Sequence, residues 1–329
     1  MSPLGLGLLA LQWQVNPESG VPLAPRWGWY VVLYFFIGGL IAGCYAIASA
    51  LQVVGDPRDR EAVRIGHRLA FPGVLVCAVL LIVDLGRPER FWHMIIKSHH
   101  FPEPIFKYWS PISLGSWILS LFGALAFVSF IGVLLETGRL RWKPLVRLHQ
   151  RVRQLPGWVS KAWGILGCLV GIALAGYTGV LMVSAVTPVW HNAVPLGGLF
   201  LASAVSTSYA LLILLLLRRG RRHSDPTVRK LEDADRWAVW IEVALLLLVL
   251  VPLGALARPI LTGAYGALFW VGVVVAGLLA PIILDRIKDR GDLERRLRLR
   301  AILILVGGLV LRFVLVMAPQ WPQVPPWHL

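Results

Sequence analysis

Eight separate apolar runs, each long enough to cross a bilayer, constrain this chain more than any other feature. They fall at about 29–52, 67–85, 111–135, 161–186, 196–217, 237–256, 264–284 and 298–317. At 1.5 Å rise per residue, ~20 residues span the ~30 Å hydrocarbon core. Backbone N–H and C=O groups in lipid must be satisfied within the spanning structure, so runs of this length predict helices. Membrane β-barrel strands would be short and alternating, and no such pattern occurs. The expected fold class is therefore all-α, a polytopic integral membrane protein with eight transmembrane helices. Composition agrees: 57% hydrophobic residues, 15% charged residues and a mean hydropathy of +0.71 exclude a soluble enzyme, a disordered chain and a disulfide scaffold.

The formal charge of +15 would suggest nucleic acid in a soluble protein, but here the basic residues lie between the apolar runs. Assigned to alternate faces, six lysines and arginines fall on one side and twenty-five on the other, with Arg312 inside the last run. The positive-inside rule then places both termini in the periplasm and the basic loops in the cytoplasm. A multi-pass protein of the bacterial inner membrane follows, with membrane lipid as a partner and no nucleic acid. No charged leader precedes Arg26, so no cleavable signal is expected, and the apolar stretch 1–13 is expected to lie in the interface. Trp27, Trp29, Trp92, Trp109, Trp158, Trp190, Trp237, Trp321 and Trp327 read as an aromatic belt.

Cys44, Cys77 and Cys168 lie apart within apolar runs and offer no sequence-local cluster frame. All eight histidines read as loop or helix-end residues, so paired histidines for a haem between helices are not expected. Polar groups at membrane depth are costly and call for a reason. Asp84 lies near the outer end of the second run, and Asp84 with Arg87 reads either as a helix-end ion pair or as part of a site. Tyr177 lies too deep for a belt residue. Tyr34 and Ser116 lie about 8 Å below the outer ends of the first and third runs. Ser116 reads first as bonding its own helix backbone. Trp190 and His191 follow the fourth run in a short outer loop. Glu242 reads as snorkelling, pairing with an arginine or taking part in proton movement. Gly38, Gly39, Gly43 and the serines from Ser203 to Ser208 read as helix-packing positions.

In sequence order these residues form a recognisable series. Tyr34-x-x-x-Gly38-Gly39-x-x-x-Gly43 opens it, and Asp84-Leu-Gly-Arg-Pro-Glu-Arg-Phe91 ends the second run. Ser110-Pro-Ile-Ser-Leu-Gly-Ser-Trp117, Gly176-Tyr-Thr-Gly179 and Pro188-Val-Trp190 complete it. The chain resembles the NrfD/PsrC family of polysulfide reductase membrane subunits. The resemblance implies a subunit without haem or an iron–sulfur cluster of its own, which exchanges electrons with a quinone, menaquinone or ubiquinone. It implies a ferredoxin-like iron–sulfur subunit and a molybdopterin-type catalytic subunit as partners on the periplasmic side.

The resemblance also implies two four-helix bundles: residues 29–186 with the quinone site, and 187–317 as the second bundle. Segment 1–28 precedes them at the periplasmic face and 318–329 forms a periplasmic tail. Tyr177 and Asp84 are the expected catalytic residues. Tyr177, Asp84, Arg87, Tyr34, Ser116, Trp190 and His191 are the expected quinone-binding residues, and no metal site is expected. Family members with a histidine and an asparagine before the first helix differ from this sequence, where only Asn16 stands as a counterpart. The loop 86–108 is expected to dock the iron–sulfur partner. A secondary transporter and a passive anchor without redox work are the competing readings, although related halves and a midplane site, usual in transporters, are not evident.

Overall fold

A computed structural model describes residues 27–97, 103–154, 156–185, 187–286 and 293–320. Among them, eight helices are long and apolar enough to cross a membrane, and no strand forms beyond a single bridge between Ile96 and Pro104. Five of the eight are α1 (Trp29–Val54), α2 (Arg60–Asp84), α3 (Pro111–Glu136), α4 (Gly157–Val183) and α5 (Leu196–Arg218). Next come α6 (Pro226–Leu253), α7 (Gly263–Arg286) and α8 (Leu293–Met317). The segment 1–13, Asn16, His99, His100, Trp321, Trp327 and His328 lie outside the described residues.

Two helices begin well before the apolar runs that reveal them. α2 starts at Arg60 rather than 67, behind a tight turn, Pro57–Asp59, closed by reciprocal side-chain bonds of Asp56 and Asp59. α6 starts at Pro226 rather than 237, with Asp225 accepting from the Thr227 N–H at 2.9 Å. Hydropathy detects only the part of a helix in lipid, whereas these caps satisfy orphan N–H groups beyond it. Pro at the first helical position reinforces both starts, and Ser110-Pro111 does the same for α3. At the other end, α6 stops at Leu253 because Pro252 ends its ladder and Gly254 turns at φ +50°. The middle of α7, Phe269–Leu279, is π-helical.

Helices α1 to α4 close a ring in sequence order, α4 returning to α1. α5 packs on α1, α4, α6 and α8, and α7 packs on α8. Arg236 of α6 reaches Asp285 of α7 at 2.6 Å and completes the second group. α1 is the most enclosed helix, as its central position requires. Close approach between α1 and α5 depends on Gly43, where a Cβ would overlap the Ser208 hydroxyl and lie 2.9 Å from the Ala204 carbonyl. Ser208 donates across that seam to the Leu40 carbonyl at 2.8 Å. Large apolar side chains such as Val79, Phe127, Leu169, Val251 and Val271 remain exposed on the outward helix faces. A continuous apolar exterior of this kind suits lipid and would be an aggregation surface in water.

Candidate functional site

Tyr34 sits five residues into α1, about 8 Å below its start, and Tyr177 sits six residues from the end of α4, about 9 Å below it. Both fall at the same end of the α1–α4 ring. Tyr34 is 3% exposed and Tyr177 6% exposed. The Tyr177 hydroxyl donates to the Pro111 carbonyl of α3 at 2.6 Å. Its ring lies over Gly115, where a Cβ would overlap the phenol ring and hydroxyl. Glycine one turn into α3 is therefore what admits this tyrosine. Tyr34 lies within electrostatic reach of Tyr177 and Cys77. Its ring and the Cys77 thiol meet over Gly38. The Tyr34 hydroxyl has no hydrogen-bond partner among the described residues.

The other expected site residues divide. Asp84 is the last residue of α2 and is exposed, as is Arg87. No ion pair joins them or ties either to another described residue, so the helix-end pair is not formed. The reason lies in the turn: Gly86 adopts φ +69° and breaks the helical spacing that would align the two side chains. Ser116 donates to its own helix at the Ile112 carbonyl, 2.9 Å, and also approaches the Met94 sulfur.

Trp190 is no belt residue. It is 1% exposed, donates to the Leu315 carbonyl of α8 at 2.8 Å and stacks on Trp27 at 4.8 Å. The short helix Pro188–His191 turns its indole inward, which sequence cannot distinguish from an outward turn. His191 is exposed, with Nδ1 3.3 Å from the Val183 carbonyl. The structure thus brings Tyr34 and Tyr177 together, sets Asp84 and Arg87 at the water-facing end of α2, and gives Trp190 a separate packing role.

One histidine departs from its expected place. His67 lies inside α2, 6% exposed, with Nε2 3.3 Å from the Ser49 hydroxyl and its ring 5.0 Å from that of Tyr45. It read as a helix-end residue only because the first turns of α2 are polar. Among the described residues, no group of three His, Cys, Asp or Glu side chains could hold a metal ion.

A second polar cluster runs through α5, α6 and α8. Arg312 is fully buried and donates to the Phe35, Gly308 and Phe200 carbonyls at 3.2, 2.8 and 3.4 Å, and to Ser203 Oγ at 3.0 Å. Glu242 is 6% exposed and lies within electrostatic reach of Ser203 and Arg312. No ion pair joins Glu242 to Arg312 or to another described residue, so the pairing expected for Glu242 is not formed. Further toward the start of α6, buried Asp235 pairs with Arg300 at 2.8 Å and accepts from Ser206 at 3.1 Å. Ser203 and Ser206 thus hold charges, while Ser208 packs helices. The Asp235–Arg300 pair escapes a sequence reading because residues 226–236 look like loop. Placed on a helix, Glu232, Asp235 and Glu242 share one face.

Comparison with known proteins places the whole of this architecture. The profile described as "Polysulphide reductase, NrfD" matches residues 19–322. The chain belongs to the NrfD family. It is 27% identical to one of the chains of the polysulfide reductase of Wolinella succinogenes over 315 residues, covering 89% of this sequence and 94% of that one. "Protein NrfD" of Escherichia coli is 26% identical, with 89% and 95% covered. One of the subunits of the selenate reductase of Mesobacillus selenatarsenatis is 25% identical, with 88% and 73% covered. This member of the family is a multi-pass protein of the bacterial inner membrane, with homologues that are subunits of polysulfide and selenate reductases.

Proposed function

We propose that this NrfD-family subunit exchanges electrons between the membrane quinone pool, menaquinone or ubiquinone, and an iron–sulfur subunit seated on its outer face. A molybdopterin-type subunit beyond that partner would carry the substrate chemistry. The observation that carries the reading is the pair of tyrosines, Tyr34 and Tyr177, at one end of the α1–α4 ring, with the Tyr34 hydroxyl bonded to no described residue. A hydroxyl that bonds no protein group keeps both its proton and its lone pairs free for a ligand.

The residues fit a quinone head. When bound, a quinone supplies two-electron, two-proton carrier chemistry. Tyr177 has its phenol proton committed to the Pro111 carbonyl, so its oxygen offers lone pairs and accepts from a hydroxyl. Tyr34 keeps its proton available and can donate to a carbonyl or phenolate oxygen. The pair therefore presents one acceptor and one donor at the same end of the ring. Asp84, exposed at the end of α2, is open to water and suited to pass protons between this region and the aqueous phase. Arg87, without an acidic partner among the described residues, adds positive charge to that exit. The aromatic residues Phe106, Tyr108 and Trp109 stand exposed on the same face and suit a protein partner.

The test uses the intact complex with limiting quinol analogue. Tyr34→Phe and Tyr177→Phe each remove one hydroxyl and keep the ring. Loss of one hydrogen bond of about 0.5–1.5 kcal/mol should lower kcat/KM roughly 2- to 10-fold. Unchanged electron transfer in both variants, with partners still copurifying, would remove these residues from the reaction and favour the passive anchor.

A further inference from the structure

At the opposite, basic end of the helices lies a cavity of about 620 Å³ between the starts of α2 and α6 and the ends of α3 and α5. Six arginines line it: Arg58, Arg60, Arg64, Arg68, Arg219 and Arg221. Among the described residues, two acids, Glu61 and Asp225, line it with them. The acids nearby are already engaged. Glu61 takes Arg221 at 2.8 Å and Arg219 at 3.6 Å, Asp225 takes Arg221 at 2.7 Å, and Glu136 takes both Arg60 and Arg64.

Arg68 is left over. It forms no ion pair or hydrogen bond with a described residue, and its Nε is buried without a partner. The charges within its reach are Arg64, Arg139 and Arg219, all of its own sign. Arg64 Nε is likewise buried and unpartnered, and Arg58 at the rim has no ion pair among the described residues. Arg68 thus faces Arg64 and Arg219 without an acid of its own among the described residues, and an anion between these guanidinium groups would relieve their repulsion. Arginine forks match the several oxygens of a phosphate better than the single charge of a halide.

We propose that this cavity binds a phosphate group, supplied either by an anionic phospholipid head or by free phosphate. Arg68 lies eight residues beyond Arg60, about 12 Å along α2, so the floor sits below the helix ends. A headgroup at the membrane boundary reaches that depth with its acyl chains still in lipid.

The test takes the purified complex, delipidated in detergent. Phosphatidylglycerol, phosphatidylcholine and inorganic phosphate are titrated separately, and binding is read by native mass spectrometry and by the thermal midpoint. Retention of phosphatidylglycerol over phosphatidylcholine, weakened at least about tenfold by Arg68→Gln, supports a lipid source. Stabilisation by inorganic phosphate, equally weakened by Arg68→Gln, with no preference between the lipids, supports free phosphate. Should Arg68→Gln fail to accumulate, Arg58→Gln at the exposed rim serves in its place. No binding of either ligand to the unaltered complex, or binding unaffected by these substitutions, overturns the proposal.

Discussion

At the scale of single residues, the two buried phenols illustrate how one atom decides a role. Tyr177 and Tyr34 are chemically identical, yet Tyr177 donates to a backbone carbonyl and Tyr34 has no partner among the described residues. Gly115 controls the first of these. An alanine there would overlap the Tyr177 hydroxyl, and the flexible end of the ring is what gives way. Gly115→Ala is expected to reduce quinol-linked turnover by at least as much as the roughly 2- to 10-fold expected for Tyr177→Phe, while the complex still copurifies. Turnover at limiting quinol and a pull-down of the partners check both halves of that expectation. Tyr177 is visible in the sequence as a tyrosine too deep for the interface. The partner of its proton is not, because Pro111 is 66 residues away and contributes only a carbonyl, which every residue has.

At the scale of elements, α8 is held to α1 and α5 through Arg312. Its guanidinium bonds carbonyls of Phe35 and Phe200 and the Ser203 hydroxyl. Arg312→Met would remove these bonds, and a hydrogen bond to a charged group contributes about 1.5–3 kcal/mol. A clear fall in the thermal midpoint of the purified complex is expected. A midpoint unchanged by Arg312→Met would show that these helices are held by apolar packing alone. Gly43→Ala tests the neighbouring seam, since its Cβ meets the fixed Ala204 carbonyl at 2.9 Å as well as Ser208. Lower yield of folded protein is the expected reading, by size-exclusion profile.

At the scale of the whole molecule, the proposed site and the arginine-lined cavity lie at opposite ends of the helices. That separation makes orientation consequential. With the basic end in the cytoplasm, the Tyr34–Tyr177 end faces the periplasm. Tyr108 and Trp142 are 75% and 62% exposed on opposite ends, and single cysteines there report the orientation. In spheroplasts expressing the subunit without its partners, an impermeant thiol reagent should label Tyr108→Cys directly and Trp142→Cys only after permeabilisation. The reverse pattern would invert the orientation and move the quinone site to the cytoplasmic side. Tyr108→Asp in the complete complex should lower recovery of the iron–sulfur partner, since it buries a charge in an aromatic patch.

The sequence by itself determined the number of spans, their approximate places and the all-helical class, because the bilayer imposes one length and one way of satisfying backbone groups. It also marked Tyr34, Tyr177 and Asp84 as polar groups needing a reason, since each stands in or beside an apolar run. Tertiary structure decided which of them meet. Helix depth is a one-dimensional quantity that sequence carries, whereas the rotation of each helix is set by seams such as Gly43 against Ala204 and Gly115 beneath Tyr177. Rotation turned His67 toward Ser49, while local turns buried Trp190 and separated Asp84 from Arg87. It also gathered arginines from α2 and the end of α5 around one cavity, though more than 150 residues separate Arg64 from Arg219 in the sequence. Charge in the sequence announced that this end is basic, and only the packing of four helix ends made it a concave site.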